Sequence, residues 1–458
     1  MRSGQALRAH AARIWEAGLR AVDPEVAVRR FIRRRGDELL ADGRRRDLRG
    51  FRNIWTIGAG KAAGPMGRAI EGILGKRLSG GILVTKYGHG VPLRKLQLLE
   101  AGHPLPDANG VAAGGRIAEL IETGIGPGDL VFCLFSGGGS ALLVAPAKGI
   151  SWQEKQQCTQ LLLKSGASIH EMNAVRKHLS SLKGGGLARL LASRTVISLI
   201  LSDVVGDQLD TIASGPLAPD TTSFSDCLGI FERLRITDRV PPSILERMRA
   251  GARSRIAETP KPGDPIFRGK QNVIVGSNGQ ACTAAAAAAR RLGYHTMVLT
   301  SRNEGDTAES ARFHMSVVQE IVSCERPLRM PACIISGGET TVQVTGAGKG
   351  GRNQEFVMQC VRPLAGVPAP CLTVSLGTDG TDGPTDAAGA MADNGTLARS
   401  ERFGSRFLDN SLANNDSYHY FQRLGDLIVT GPTRTNVMDL RIILIGTPAP
   451  RRRRTDRA

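Results

Sequence analysis

The spacing of apolar side chains changes along the chain. Residues 5–40 have apolar positions at helical spacing and predict an amphipathic helix. A break is expected at Asp23 and Pro24, because aspartate can cap a helix and proline can open the next one. From Asn53 onward, short uninterrupted apolar runs alternate with helical stretches. This alternation is typical of a parallel sheet that helices cover on both faces.

Two series of such elements are predicted, and together they define the fold class. The first has strands at 54–57, 81–85, 96–100, 130–135 and 195–201, with helices at 64–74, 111–122, 152–164 and 172–182. The second has strands at 273–275, 296–299, 333–335 and 372–375, with helices at 280–291, 307–322 and 354–361. A Pro-, Gly- and charge-rich linker at 248–270 separates them.

The length agrees with this division, because 458 residues exceed what one compact core usually supports. We therefore expect an α/β protein of two domains. The N-terminal domain, with its basic helical start, spans 1–255 and the C-terminal α/β domain spans 271–446. A basic disordered tail is predicted at 447–458.

The formal net charge of +18 lies mainly at the two ends. Residues 1–52 contain 14 arginines against seven acidic residues, and 451–458 contain five against one, so the ends carry 11 of the 18 charges. With only 4% aromatic residues, stacking platforms for single strands are not evident. No specific nucleic-acid partner is expected, and binding of nucleic acid or an anionic surface through the termini is kept as an alternative.

Cysteine usage and hydropathy indicate the compartment. The eight cysteines form no CxxC pair and most lie in apolar runs, as expected for buried thiols in a reducing environment. No apolar window approaches the roughly 20 residues of a spanning helix, so no membrane association is expected. The predicted location is the cytoplasm.

Glycine-rich loops follow the predicted strands, at the place where ligands bind in an open parallel sheet. Lys61 lies among Gly58, Gly60 and Gly64, where a mobile cation would stand beside a helix N-terminus. A tight turn with a solvated lysine is the alternative. Ser136-Gly137-Gly138-Gly139-Ser140 forms a plausible nest for phosphate oxygens.

Acidic residues and one arginine occupy other strand ends. Asp203 and Asp207 follow one predicted strand, and Asp379 and Asp382 follow another. Such pairs can hold Mg²⁺ through water, with helix capping as the alternative. Arg352, after Gly350-Gly351, suits a fork on a carboxylate or phosphate. Together these groups fit phosphoryl transfer, which depends mostly on placement and charge neutralisation.

Other mechanisms find less support. The histidines lack HExxH or other metal spacing, and no GxSxG elbow marks a serine hydrolase. His89 and His103 lie in predicted loops, where a catalytic role is open to them.

Eleven ordered motifs resemble the class II glycerate 2-kinases, whose C-terminal domain is the leucine-rich MOFRL domain. The resemblance covers about residues 8–446. The motifs are IGAGKAA (57–63), TKYGHG (85–90), EAGHPLPDANG (100–110), FSGGGSALL (135–143), NAVRKHLSSLKGGGLA (173–188), LSDVVGD (201–207), IASGP (212–216), SGGETTV (336–342), GGRNQEF (350–356), GTDGTDGPTDAAGA (377–390) and TGPTRTNVMDL (430–440).

This resemblance implies an ATP- and Mg²⁺-dependent kinase that converts D-glycerate to 2-phospho-D-glycerate. It also implies a Rossmann-like N-terminal domain, a smaller α/β MOFRL domain and an active site in the cleft between them. Lys61 and Arg352 match the proposed catalytic pair of the family. Arg434 stands where the family commonly has glycine, and Met438 where it has a polar or small residue.

Individual roles are assigned on these grounds. We expect Lys61, Arg352 and Asp203 to be catalytic, with Lys61, Arg352 and Asn353 binding substrate. The nucleotide or its phosphates are assigned to Ser136, Gly137, Gly138, Gly139, Ser140, Ser214, Gly215, Glu339 and Asn436. The metal is assigned to Asp207, Asp379 and Asp382. The oligomeric state, including a homodimer, stays open.

Members of the family also bear the name hydroxypyruvate reductase, so NAD(P)H-dependent reduction is the alternative activity. A dinucleotide fold usually has an acidic residue at the end of its second strand, to bind the ribose. The predicted strand 81–85 leads into Lys86 instead. The sequence thus favours the kinase.

Overall fold

The computed structural model describes residues 4–447, which form two compact units. The first unit is Pro24–Val275; the second combines the chain before residue 24 with the chain from residue 276. Residues 448–458 of the predicted basic tail lie outside the described residues. Among residues 4–447, no helix combines the length and apolar character needed to cross a bilayer.

The α-helices are α1 (Gly4–Ala21), α2 (Pro24–Phe31), α3 (Ala63–Leu74), α4 (Ala108–Glu119), α5 (Gly139–Leu142), α6 (Trp152–Lys164), α7 (Ile169–His178), α8 (Gly186–Leu190), α9 (Phe224–Arg233), α10 (Pro242–Ala252), α11 (Asn278–Arg291), α12 (Thr307–Cys324), α13 (Arg352–Ala365), α14 (Thr396–Ser400), α15 (Phe407–Ala413) and α16 (Ser417–Leu424). The β-strands are β1 (Ile32–Arg35), β2 (Glu38–Ala41), β3 (Arg44–Asp47), β4 (Ile54–Ala59), β5 (Gly80–Lys86), β6 (Leu96–Ala101), β7 (Leu130–Phe135), β8 (Thr195–Leu201), β9 (Lys270–Gly276), β10 (His295–Asn303), β11 (Ala332–Gly338), β12 (Cys371–Gly377), β13 (Gly389–Asp393), β14 (Leu427–Ile428) and β15 (Asp439–Ile445).

The first unit is built on a six-stranded sheet in the order β6-β5-β4-β7-β8-β9. Strands β4 to β8 pair in parallel, and every residue of β7 is buried, as expected for a strand covered on both faces. A small antiparallel sheet, β1-β2-β3, precedes it. The α/β fold class with a parallel sheet covered by helices is confirmed.

Local sequence signals explain where the helices of this unit begin. Ser151, Ser168 and Ser223 each cap a helix N-terminus, and the acidic residue three positions later returns the hydrogen bond. These reciprocal pairs satisfy backbone N–H groups that lack partners inside the helix. Helix α10 opens with proline at its first position.

The second unit contains a mixed sheet in the order β10-β11-β15-β12-β13-β14. Strands β10 and β11 are parallel, whereas the last strand of the chain, β15, lies antiparallel between β11 and β12. All seven residues of β15 are buried. Helix α1 also belongs here, with Leu7, Ala11 and Ile14 buried in one apolar cluster with α11 and the sheet.

Several predicted elements differ from the structure. Residues 32–40, predicted as helix, form β1 and most of β2, because Gly36 permits the turn at positive φ between two short strands. Strand β9, placed in the second series, is an edge strand of the first sheet. The unit boundary therefore falls at Val275 and Gly276, and α1 packs in the second unit rather than with residues 24–255.

Candidate active site

The strand order of the first unit reverses between β4 and β7. From β4 the chain moves outward to β5 and β6 and then returns to the other side of β4 as β7. Ala59 pairs with Phe135, so the loops that follow these two strands start side by side. In open α/β sheets such a reversal is the usual ligand-binding position.

Lys61 lies in the loop after β4 and is held by the loop after β7. Its backbone N–H donates to the Gly137 carbonyl over 2.9 Å, and the next N–H, of Ala62, donates to Ser136 Oγ over 3.0 Å. A Cβ on Gly60 would lie 2.1 Å from Ser136 Oγ, so only glycine allows this approach. Lys61 itself is half-buried. The predicted cation and the predicted phosphate nest thus form one assembly.

His103 lies against the same loop. Gly138 has a φ of +80°, and a Cβ there would lie 2.8 Å from the imidazole and 3.5 Å from Lys61 Cγ. Burial, followed by the charges of Lys61 and Lys86, lowers the pKa of His103 to about 4. His103 is therefore neutral at neutral pH and adds no positive charge beside Lys61.

The second serine of the glycine loop joins three further segments. Ser140 Oγ is 2.7 Å from Ser214 Oγ and accepts a hydrogen bond of 2.7 Å from Arg176. Lys183 Nζ donates to the Ser140 carbonyl over 2.7 Å. The structure therefore brings the predicted Ser140 and Ser214 together, and adds two cations to which the sequence analysis gave no role.

The turn at Ser214 and Gly215 is also held by hydrogen bonds from the backbone of Gly184 and Gly185. Both residues have positive φ, and their carbonyls accept hydrogen bonds from the N–H groups of Gly184 and Gly185. Ser214 is fully buried. The signal for this contact was present in the KGGG run at 183–186, because consecutive glycines allow two backbones to approach closely.

The two predicted carboxylates after β8 lie on its exit loop. Phe135 of β7 pairs with Ile200 of β8, so this loop starts beside the glycine loop. Asp203 and Asp207 are both partly exposed, and Asp207 has a φ of +58°.

In the second unit, Arg352 opens helix α13 and is held by two carboxylates. Its Nε and Nη2 donate to Asp439 over 2.8 and 3.0 Å, and its Nη1 lies 2.8 Å from Glu339 Oε1. Asp439 is fully buried, whereas about 45% of the Glu339 side chain is exposed. Burial lowers the pKa of Arg352, but the charge and hydrogen bonds of Asp439 together with the charges of Glu339 and Asp382 outweigh this effect, and the net shift is upward. Arg352 is a permanent cation.

The sheet topology explains why Asp439 stands beside Arg352. Asp439 is the first residue of β15, and it pairs with Gly338 at the end of β11 and with Gly377 at the end of β12. The carboxylate therefore reaches the sheet edge where the loops after β11 and β12 begin. Arg441, two residues on and fully buried, also donates to Asp439 over 3.2 Å.

Comparison with known proteins identifies the family. A domain of unknown function, DUF4147, matches residues 10–249, and the MOFRL family matches residues 332–439. A glycerate 2-kinase of Pyrococcus horikoshii is 41% identical, covering 93% of this chain and 94% of its own. A D-glycerate 2-kinase of Thermotoga maritima is also 41% identical, over 86% of this chain and 90% of its own. The chain belongs to the glycerate 2-kinase family.

Solved structures agree with this family assignment. A glycerate kinase from Thermotoga maritima superposes with a TM-score of 0.85 at 38% identity, covering 96% of this chain and all of the other. A protein from Pyrococcus horikoshii gives 0.86 at 39% identity, with 96% and 99% covered. The fold is thus that of the glycerate kinases.

Two of the three predicted metal ligands, Asp379 and Asp382, have protein partners. Asp382 is buried and accepts from the N–H groups of Asn353 and Gln354, which makes it a cap for α13. Burial raises its pKa to about 6. Asp379 Oδ1 accepts from the N–H and hydroxyl of Thr381. Within the described part of the chain no three His, Cys, Asp or Glu side chains gather as a metal site. Asp382 does not fit a resident metal.

Asn353, predicted to bind substrate, is instead a buried link between carboxylates. Its Nδ2 donates to Asp439 over 2.8 Å and to Asp382 over 3.2 Å, and its Oδ1 accepts from Ser375. The residue is fully buried, and both polar atoms of its amide have protein partners. Its position holds the carboxylate that orients Arg352.

The two departures from the family pattern have a shared backbone property. Arg434 has a φ of +61° and Met438 a φ of +69°, in the region that favours glycine. Between them, Asn436 Oδ1 accepts from the Met438 N–H over 3.1 Å. Arg434 is exposed, whereas Met438 is buried and its carbonyl accepts from Thr378. The loop therefore keeps a conformation that suits glycine even though neither residue is one.

Proposed function

We propose that this protein is a glycerate 2-kinase, which transfers the γ-phosphoryl group of ATP to the 2-hydroxyl of D-glycerate. The observation that carries the proposal is the 41% identity over 93% of the chain to a glycerate 2-kinase. The glycine loop beside Lys61 at the sheet reversal supports it, because this is a place where an anionic substrate can bind.

In the proposed reaction, the 2-hydroxyl oxygen of D-glycerate attacks the γ-phosphorus as the bond to the β–γ bridging oxygen breaks. ADP leaves with that electron pair, and the hydroxyl proton passes to a base, to which we assign Asp203. Lys61 and Arg352 neutralise the substrate carboxylate and the migrating phosphoryl group. Such transfers depend on placement and electrostatic stabilisation more than on covalent chemistry.

Arg352 is suited to exchange one partner for a substrate. Asp439 fixes its Nε and Nη2 from the buried side, while Nη1 points to the half-exposed Glu339. We propose that the anionic substrate replaces Glu339 at Nη1 and that Asp439 keeps the guanidinium oriented. Glu339 would then act as a gate residue, alongside the predicted role in nucleotide binding.

The nucleotide is proposed to be ATP, bound as its magnesium complex. The N–H groups and hydroxyls of residues 136–140 and 214–215 would face its phosphates, and Asn436 is proposed to bind on the second unit. Mg²⁺ enters here as part of the substrate, with Asp207 and Asp379 as its nearest proposed partners. No step is assigned to Asp382, because its oxygens cap α13.

Lys61 and Arg352 belong to different units of the chain. The proposed reaction therefore needs a cation from each unit. The proposed location is the cytoplasm, in keeping with eight free thiols of which seven are buried. A homodimer is left open.

Phosphorus NMR of the product formed from ATP, Mg²⁺ and D-glycerate tests the proposal directly. The expected product is 2-phosphoglycerate, with one ADP formed per molecule. Formation of 3-phosphoglycerate would contradict the assigned hydroxyl, and no product would contradict the kinase.

Hydroxypyruvate reduction is the second candidate, because a relative from Agrobacterium vitis, 39% identical over 95% of this chain, bears that name provisionally. Oxidation of NADH by hydroxypyruvate in the absence of ATP would favour it. Against it, β5 ends in Lys86 rather than in an acidic residue.

Binding of nucleic acid through the Arg-rich ends is the third candidate. Deletion of 451–458 should abolish such binding and leave kinase activity unchanged.

A further inference from the structure

Three basic side chains lie near the C-terminal end of the glycine loop. Lys155 is on α6, Arg176 is on α7 and Lys183 lies just before α8. In the part of the chain that the structure describes, none of the three forms an ion pair with Asp or Glu. The neighbouring Lys177, by contrast, lies 3.3 Å from both Asp210 and Asp220. The excess of positive charge is therefore confined to the side chains near Ser140.

Lys155 is the least satisfied of the three. Its side chain is 8% exposed, and its Nζ has no hydrogen-bond partner among residues 4–447. A buried ammonium group without a partner is costly, because burial removes its hydration and nothing replaces it. Ionisable groups perturbed in this way are concentrated at functional sites.

The three cations act on one another through their charges, and two of them, Arg176 and Lys183, contact Ser140. The positive charge of Arg176 acts on Lys155, and Lys183 is affected by both. Arg176 donates to Ser140 Oγ, while Lys183 donates to the carbonyls of Ser140 and Leu143. The cluster thus lies against the C-terminal end of the glycine loop, whose other end borders Lys61.

We propose that Lys155, Arg176 and Lys183 form a polyanion site with Ser140, and that it takes the phosphate chain of the nucleotide. The inference rests on the proposed kinase function for the identity of the ligand. A cluster of three basic side chains suits the three to four negative charges of a triphosphate better than the single negative charge of a glycerate carboxylate. Lys155 and Arg176 contact the phosphates, and Lys183 holds the loop in place through its two carbonyl contacts.

The protonation of Lys155 supports this assignment. Burial, and then the charge of Arg176, lowers the pKa of Lys155 to about 7, and Lys183 and Arg176 are the charged groups that face it. A bound polyanion favours the charged amine and raises this pKa. Binding at pH 7 should therefore take up about half a proton at this residue.

Calorimetric titration tests the site with three probes: ATP with Mg²⁺, inorganic tripolyphosphate and D-glycerate. Lys155→Met and Arg176→Met are each expected to weaken the binding of ATP and of tripolyphosphate by about tenfold or more. The affinity for D-glycerate should stay unchanged. Arg176→Lys, which keeps the charge, should restore part of the affinity. Lys164→Met, an exposed lysine on the same helix, is the matched control and should behave as wild type.

Two further readouts separate binding from a structural role. Lys155→Met should raise the midpoint of thermal unfolding, because it replaces a buried charge by an apolar chain of similar length. Titration in buffers of different ionisation enthalpy should show that this variant loses the proton uptake on binding ATP. Lower thermal stability with unchanged tripolyphosphate affinity would overturn the inference, as would weaker binding of D-glycerate alone.

Failure of the inference and failure of the proposed function give different results. Product formed by wild type, with unchanged ATP affinity in both variants, overturns the polyanion site alone. If the variants lose tripolyphosphate binding and the wild type forms no phosphoglycerate, the polyanion site is supported and the kinase function is contradicted.

Discussion

Lys61 and Arg352 have different local surroundings although both are assigned to the same reaction. Lys61 stands beside a neutral imidazole and the glycine backbone of the loop after β7. Arg352 is bound by Asp439 and Glu339. These carboxylates fix its orientation and offset its positive charge. Backbone hydrogen bonds therefore position Lys61, whereas a buried carboxylate positions Arg352.

Replacement of either cation should reduce turnover strongly. Lys61→Met is expected to lower kcat by about 100-fold or more, because it removes a charge that acts on the transferring group. Arg352→Lys keeps the charge but loses the two-point contact with Asp439, and a smaller loss in kcat is expected. Steady-state kinetics provide the measurement.

Lys76→Met, an exposed lysine after α3, serves as the control for Lys61. Turnover of Lys61→Met within twofold of the control would remove Lys61 from the mechanism. Arg352→Lys is chosen over alanine because truncation would leave the buried Asp439 with less compensation.

His103 should make stability depend on acid pH. Its pKa is about 4 in the folded protein and near 6.5 when unfolded, so between these values the unfolded chain binds more protons. Stability from this residue is therefore present above pH 6.5 and is lost as the pH falls toward 4. In His103→Gln the free energy of unfolding should fall less over this pH range, by up to about 3 kcal/mol before solvent screening reduces the effect.

Denaturant unfolding at pH 7.5 and pH 4.5 measures this difference. Wild type and His103→Gln should respond differently to the pH change, with the variant declining less. An equal decline in both proteins would show that His103 titrates normally.

At the level of elements, the loops that follow the strands carry the site, and their backbones are specialised. Gly138, Ser214 and Gly215 have positive φ in the first unit, as do Arg434 and Met438 in the second. Glycine adopts this conformation without cost, whereas other residues pay about 1 kcal/mol or more. The loop of residues 430–438 therefore contains backbone strain that substitution can relieve.

Arg434→Gly tests this strain. The residue is exposed, so the main effects are relief of the left-handed conformation and the greater freedom of glycine in the unfolded chain. We expect stability to stay level or rise by up to about 1 kcal/mol. Arg291→Gly, an exposed arginine in the last turn of α11, should instead lose about 1 kcal/mol.

Urea unfolding of the two variants gives the comparison. A loss of stability in Arg434→Gly equal to that in Arg291→Gly would contradict the strain. Kinase assays of Arg434→Gly would also show whether the departure from the family pattern affects turnover.

Elements of the first sheet could be predicted well from the sequence. The strands β4 to β8 lie where uninterrupted apolar runs predicted them, because a strand covered on both faces must be apolar throughout. The elements β13 to β15 and α14 to α16 were not predicted. The edge strand β14 has only two residues, and the antiparallel insertion of β15 depends on pairing with distant strands rather than on local pattern.

For the whole molecule, the path of the chain between the two units matters most. The chain starts in the second unit with α1, passes through the first unit and returns at residue 276. In the second unit α1 packs on α11, and Ile14 is fully buried in their shared cluster. The second unit is thus closed by the beginning of the chain.

Ile14→Ala should destabilise the second unit. Removal of a buried isoleucine side chain costs about 2–5 kcal/mol, because transfer energy is lost and a cavity is left. Glu16→Ala, exposed on the same helix, is the control and should change stability by less than about 0.5 kcal/mol. Differential scanning calorimetry should show a lower transition for Ile14→Ala.

Two outcomes would contradict this packing. If Ile14→Ala unfolds as the control does, α1 contributes little to the second unit. If residues 1–23 can be deleted without a change in the transition, the helix does not belong to its core.

The sequence alone predicted the parallel sheet and the glycine-rich loops at its carboxyl edge, and it singled out Lys61 and residues 136–140 as candidate site residues. These follow from apolar period and from glycines that local backbone geometry requires. Tertiary structure decided which charges meet. Asp439 reaches Arg352 only because β15 inserts between β11 and β12, 87 residues later in the chain. Likewise, burial at Lys155 and capping by Asp382 arise from long-range packing, which no local pattern records.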